Sequence, residues 1–228
     1  MLRLAQHLCT VTGVALILAA AVAFLDGALA SRSALAAFEE AAAGSRGAGS
    51  PGAGSPAADL LAVLANEPDQ GLWSAKRKTR YAKSLDEDLG LPEAVLSVPS
   101  LGLEVPVFPG TGQVVLNRGA GRLEESAAPG TAGNIAIAGH RDGFFRPLKD
   151  IEVGAVLALR TLVGTQRFEV SEILIVDPLD ISVLDPSNEA MLTLITCYPF
   201  YYVGYAPDRY IVRARLVGSG PAPSRKKI

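Results

Sequence analysis

The sequence predicts an all-β domain, a barrel or sandwich of about eight short strands with short helices, behind an N-terminal transmembrane helix. Three observations carry this. From Ala94 onward, short apolar runs recur, each bounded by Gly or Pro. Neither a βαβ rhythm nor a repeat of roughly 20–50 residues interrupts them. Residues 8–25, LCTVTGVALILAAAVAFL, are uncharged and mostly apolar, about the minimum length to span a bilayer as a helix.

Taken in order, the chain opens with Arg3 as the only fixed side-chain charge before the apolar run. Asp26 ends that run, and Gly27-Ala28-Leu29-Ala30 extends it if the aspartate reaches the interface. A cleaved signal peptide with Ala28-Leu29-Ala30 as its A-x-A site competes with an uncleaved signal anchor. The run exceeds a usual signal core, which favours the anchor, with the N-terminus inside and one pass through the cell membrane. Residues 1–30 are therefore read as a membrane anchor. Residues 31–70 are a helical extension followed by a flexible linker, GSRGAGSPGAGSPAA over Gly44–Ala58, and a short apolar helix over Asp59–Ala65.

Residues 71–216 form the main domain. Trp73–Leu85 reads as an amphipathic helix packed by Trp73 and Tyr81, with a basic cluster of Lys76, Arg77, Lys78, Arg80 and Lys83 elsewhere on its surface. Strands are expected at Ala94–Val98, Leu103–Phe108, Val114–Asn117, Asn134–Ala138, Val156–Leu162, Arg167–Val176, Met191–Thr196 and Arg209–Leu216. Residues 217–228 are Gly/Pro-rich, then basic, and read as a disordered tail. A net charge of −2 with no long basic block gives nucleic-acid binding no electrostatic support.

The two cysteines, Cys9 in the membrane run and Cys197 far downstream, cannot easily meet if the run anchors the chain. Cys197 is then a single free thiol outside the membrane. It ends the apolar run Leu192–Thr196 and is followed at once by Tyr198-Pro199, so it stands where a strand meets a loop. A lone cysteine there is ordinarily inert packing. A partner of the right type exists, however. His140 ends the apolar run Ala136-Ile137-Ala138-Gly139, and Cys–His pairs need proximity in space rather than in sequence. With one other histidine in the chain, His7, a His/Cys metal cluster is not available, and no metal or cofactor is expected.

These residues carry a resemblance. Thr193–Cys197 matches the TLxTC signature of sortases, Asn134–Arg141 resembles the strand leading to the sortase histidine, and Arg209 in Asp208–Val212 resembles the arginine of the following strand. The order His, Cys, Arg is the family's, and the similarity runs from about Trp73 to Leu216. It implies a sortase-like eight-stranded β-barrel and a membrane-anchored cysteine transpeptidase. Cys197 would be the nucleophile, His140 the acid and base, and Arg209 the group facing the oxyanion or gripping the substrate. Arg141, Arg213 and Arg215 are the alternatives to Arg209. The resemblance further implies cleavage of an LPxTG-like signal between Thr and Gly, with transfer of the protein to an amine on wall precursor or another protein. The partners would be proteins carrying that signal at their C-terminus.

By the same resemblance Ile173–Asp185 would read the Leu-Pro part of the signal, with Val176, Leu179, Ile181 and Val183 among its apolar contacts, and Tyr198–Pro207 would wall the groove. Thr196 and Tyr198 are the further substrate contacts. Cys197-Tyr198-Pro199-Phe200 and the Trp73 helix look most like class D, with class E as the closer rival. A hydrolytic cysteine peptidase on the same scaffold and a non-catalytic peptide-binding barrel are the alternatives.

Overall fold

Alternating apolar residues on short strands can be buried only if the sheet closes on itself or packs on another layer, and here it closes. The computed structural model describes Leu60 and residues 62–202 and 204–220. They fall within one compact unit, Gly52–Ile228. The strands are β1 (Ala94–Val98), β2 (Leu103–Pro109), β3 (Ala120–Arg122), β4 (Asn134–Ala138), β5 (Val156–Arg160), β6 (Thr165–Val176), β7 (Met191–Tyr198) and β8 (Asp208–Gly220). They form a closed barrel in the order β1-β2-β3-β4-β7-β8-β6-β5, with β5 pairing back onto β1. Most pairs are antiparallel, but β2–β3 and β4–β7 are parallel.

The barrel is filled by one face of each strand. Leu96, Val105, Ile137, Phe168, Leu194 and Val212 meet in a single buried cluster, capped by Phe145 and Leu148 from the segment after β4. Along β8, Tyr210, Val212 and Ala214 are buried in this core, while Arg209, Ile211 and Arg213 take the other parity, Ile211 being buried on that outer face.

Helix α1 (Ala75–Ser84) forms where the periodicity places it, with Ser74 as its N-cap accepting from the Arg77 amide at 3.2 Å. Trp73 and Tyr81 pack it onto the domain, their rings edge-to-face at 5.4 Å. The basic cluster is not uniform. Lys76, Lys78, Arg80 and Lys83 are exposed, but Arg77 is buried. It shares a face with Trp73 and Tyr81 because the three stand four residues apart.

Three expectations need correction. Val114–Asn117 is not a strand but lies in a short helix, α2 (Gln113–Arg118). The β-branched pair favours a strand by propensity, but Asn117 is required inward, where its side chain accepts from Arg77. The eighth strand is instead β3, Ala-Gly-Arg, a sequence with little strand propensity. It is held by parallel pairing to β2 and antiparallel pairing to β4, so β2-α2-β3 is one short parallel crossover. Finally, β8 continues past Leu216 to Gly220, because β6 begins at Thr165 and offers it partners there. The expected membrane helix, the helical extension and linker, and the tail beyond Gly220 lie outside the described residues. Among the described residues, no helix is long and apolar enough to cross a membrane.

Gly121 is what lets β3 enter. A Cβ there would lie 2.2 Å from the Gly110 carbonyl oxygen and 3.1 Å from Val115. Gly121→Ala is therefore expected to lower unfolding free energy by about 1–3 kcal/mol, the usual range for overpacking a rigid site. Urea denaturation checks this, and an unchanged midpoint would mean that β3 is not closely packed.

Candidate active site

The site is built by register. In the β7–β8 pair Cys197 stands directly opposite Arg209, and in the β8–β6 pair Arg209 stands opposite Val176. Residues opposite one another project to the same face of a sheet. Val176, Arg209 and Cys197 thus form a row on the outer wall, since the alternate residues Thr196 and Tyr210 are the buried ones. On its other side β7 runs parallel to β4, with Ala138 level with Ile195. The Gly139 amide donates to the Ile195 carbonyl at 3.0 Å, and the Thr196 hydroxyl donates to the Gly139 carbonyl at 2.7 Å. These two bonds carry the chain just past β4 so that His140 arrives level with Cys197.

Glycine is required at 139. A Cβ would lie 2.6 Å from the Phe145 ring, which packs beneath the histidine loop as part of the core. His140 and Cys197 then line one cavity of about 240 Å³, together with Arg77, Asp142 and Tyr205. A second cavity, of about 230 Å³, lies on the other side of Cys197. Its floor is Ala138, Ile195 and Ile211, its rim includes Val176, Ile181 and Val183, and Arg209 borders it. Cys197 and Arg209 therefore stand between an apolar cavity and a polar one.

Burial sets the electrostatics of His140. Its pKa is lowered from 6.5 to about 4, first by loss of solvent and next by the positive charge of Arg77, partly offset by Asp142. Its Nε2 is buried and finds no hydrogen-bond partner among the described residues. An imidazole so placed is neutral near pH 7, with a nitrogen available to exchange a proton. Among the described residues the Arg209 guanidinium donates only to its neighbour's carbonyl, Asp208, at 3.1 Å, which leaves donors for a further partner. The alternative arginines are engaged otherwise. Arg141 donates to the carbonyls of Pro199, Tyr202 and Gly204 at 3.0, 3.1 and 3.1 Å and so holds the β7–β8 loop. Arg213 pairs with Glu172 at 3.6 Å, and Arg215 lies further along β8, level with Met191. Among the described residues no three His, Cys, Asp or Glu side chains group so as to hold a metal.

The expected substrate contacts divide. Val176, Ile181 and Val183 border the apolar cavity. Leu179 is 87% exposed and does not line it. Thr196 is buried and ties the two strands together, and Tyr198 turns to the opposite face from Cys197, where it stacks on Tyr210 at 6.1 Å. The sequence reading missed Arg77 and Asp142 as neighbours of the histidine. The four-residue spacing of Trp73, Arg77 and Tyr81 was the available signal, since it sets the arginine on the packed face.

With this geometry in hand, comparison with known proteins is specific. A family model described as a sortase domain matches residues 96–217. The chain is 36% identical over 160 residues to Sortase D of Bacillus subtilis (strain 168), spanning 68% of this chain and 81% of that protein. A solved Clostridium perfringens Sortase D5 transpeptidase is similar with a TM-score of 0.53 at 27% identity, over 72% of this chain and 96% of that one. Sortase E1 from Streptomyces coelicolor, solved with a tripeptide in its active site, gives 0.52 at 29% identity, over 57% and 90%.

The buried histidine has a measurable consequence for stability. Its folded pKa, about 4, lies below its unfolded value of 6.5, so the unfolded chain binds the proton more readily. The contribution is fully present above pH 6.5 and is lost as pH falls towards 4. The expected loss between pH 7 and pH 4 is about 3 kcal/mol. His140→Asn should lose less by about that amount in urea midpoints taken at both pH values. Equal losses in the two proteins would contradict the burial argument.

Proposed function

The chain belongs to the sortase family of cysteine transpeptidases, and from that premise we propose that it cleaves an LPxTG-like sorting signal between Thr and Gly and transfers the severed protein to an amine. The observation that carries this reading is the juxtaposition of Cys197 with His140 in one cavity and with Arg209 across the strand, beside an apolar cavity. A Leu-Pro segment suits that second cavity, because its lining is mostly apolar and its volume is about 230 Å³. The scissile carbonyl would then lie at Cys197, and the leaving amine would lie on the His140 side.

His140, neutral at rest, accepts the Cys197 thiol proton as Sγ bonds to the Thr carbonyl carbon and the carbonyl electron pair moves to oxygen. Arg209 faces that oxyanion with a charge that does not titrate. The C–N bond breaks, His140 returns the proton to the departing Gly amine, and a thioester remains on Cys197. An incoming amine then bonds to the carbonyl carbon, giving its proton to His140, and the C–S bond breaks as His140 passes that proton to Sγ, which regenerates the thiol and the neutral imidazole. The same machinery with water would make the enzyme a hydrolase.

The apolar run at residues 8–25 supports placement as a single-pass protein of the bacterial cell membrane, with the barrel outside the cytoplasm. There the partners would be proteins bearing a C-terminal signal and an amine on wall precursor or on another protein.

The test mixes the full chain in detergent micelles with LPxTG-like peptides and a simple amine, and reads the products by mass. The expected product is the amide of the Thr carboxyl, absent with Cys197→Ala. Arg209→Lys, which keeps the charge and loses the planar fork, is expected to lower kcat/KM about 10²-fold. Free acid alone, with amine in excess, would identify a hydrolase. No product and no acylation from any peptide with a folded chain would favour a binding barrel.

A further inference from the structure

Arg77 lies before the segment that the family model matches, on a helix outside the barrel, yet it reaches the catalytic cavity. It is 8% exposed. Its guanidinium lies 4.4 Å over the Trp73 ring, donates to the Asn117 side chain of α2 and pairs with Asp142 at 3.5 Å. Trp73 Nε1 in turn donates to the Asp142 carbonyl. Two helices and the histidine loop therefore converge on one buried cation, two residues from His140 through Asp142. A guanidinium held on three sides has little freedom to move away from what it faces. Burying such a charge is costly without pairing, and the carboxylate that pairs it is itself 41% exposed, so Arg77 retains net positive field towards the cavity.

We propose that Arg77 is a positioning residue of the reaction: helix α1 sets a fixed cation against the histidine loop, and that cation adds to burial in favouring the neutral imidazole of His140. This rests on the acid–base role given to His140 above. The other groups around the imidazole do not replace it. Arg80 of α1 borders the cavity and acts in the same direction as Arg77, but it is exposed and its influence is smaller, and Arg141 is turned to the carbonyls of the β7–β8 loop. Asp142 opposes Arg77, Cys197 of β7 and Tyr205 of the β7–β8 loop share the cavity, and Gln113 at the start of α2 is uncharged. Next to burial, Arg77 is the strongest influence holding the histidine below its usual range, and Asp142 acts against it. The consequence is chemical: a histidine kept neutral at rest has a lone pair open to the thiol proton, and its lowered basicity favours the return of that proton, to the leaving amine, more than its uptake.

The test is a histidine titration by NMR on the full chain in micelles, with His140 identified as the signal lost in His140→Asn. Arg77→Gln is expected to raise the His140 midpoint by about one unit. Arg77→Lys, which keeps the charge, should leave it within a few tenths. Asp142→Asn, which leaves Arg77 and removes the opposing charge, should lower it. The acid limb of kcat/KM should move with the midpoint in each variant. An unchanged midpoint in Arg77→Gln, or the same rise in Arg77→Lys as in Arg77→Gln, would overturn the proposal. If Arg77→Gln does not fold, Arg77→Met, which keeps an unbranched stem against Trp73 and removes the charge, takes its place: a rise supports the proposal, and no shift overturns it. The titration needs no turnover, so it is separable from the function reading. Transfer activity retained by His140→Asn would overturn that reading instead.

Discussion

The parallel pairing of β4 with β7 is the constraint on which the rest of the site depends. His140 and Cys197 are far apart in the chain, and nothing local brings them together. The ladder from Asn134↔Met191 to Ala138↔Ile195 aligns the two strands, and the Thr196 hydroxyl extends the match by one step to Gly139. One such hydrogen bond contributes only about 1 kcal/mol net. Its larger effect is geometric, because it fixes the residue before the histidine to the residue before the cysteine. β5 and β6 lie between its two strands in sequence, so the site rests on a long-range pairing within the closed barrel.

Closure decides where chemistry can occur. The barrel interior is filled by aliphatic and aromatic side chains, which leaves the outer face for a groove. Three adjacent strands, β6, β8 and β7, present Val176, Arg209 and Cys197 there in one row. The long connections on either side of β7 supply the walls. One brings Ile181 and Val183 over the apolar cavity, and the other is held by Arg141 through three carbonyls. The polar end has a different character, because Arg77 and burial act together on His140. The groove thus grades from an aliphatic pocket to a charged one across the thiol.

Much of this was legible beforehand. β1 and β4 match their expected bounds, and five further strands were placed with ends off by a few residues. Apolar alternation is a strong signal wherever one strand face is buried. It failed at β3, whose Ala-Gly-Arg has no pattern and whose position follows from close approach at Gly121. It misled at Val114–Asn117, where tertiary contacts to α1 and β3 override the propensity of two valines. Cys197, His140 and Arg209 stood out because each lies at a strand end in a pattern with known kin. Strand parity put Arg209, Arg213 and Arg215 on one footing, and only the pairing register separates them. Arg77 escaped because a basic run reads as a solvated face unless its spacing from Trp73 and Tyr81 is weighed.

The most direct test of the account is the site of covalent attachment. The full chain in micelles would be mixed with a reactive LPxTG-like peptide and no amine, quenched in acid, digested and mapped by mass. The account predicts the acyl half of the peptide on the fragment containing Cys197, as an adduct that a strong amine releases. Turnover of the peptide with acylation at another residue, or product formed at the wild-type rate by Cys197→Ala, would contradict it.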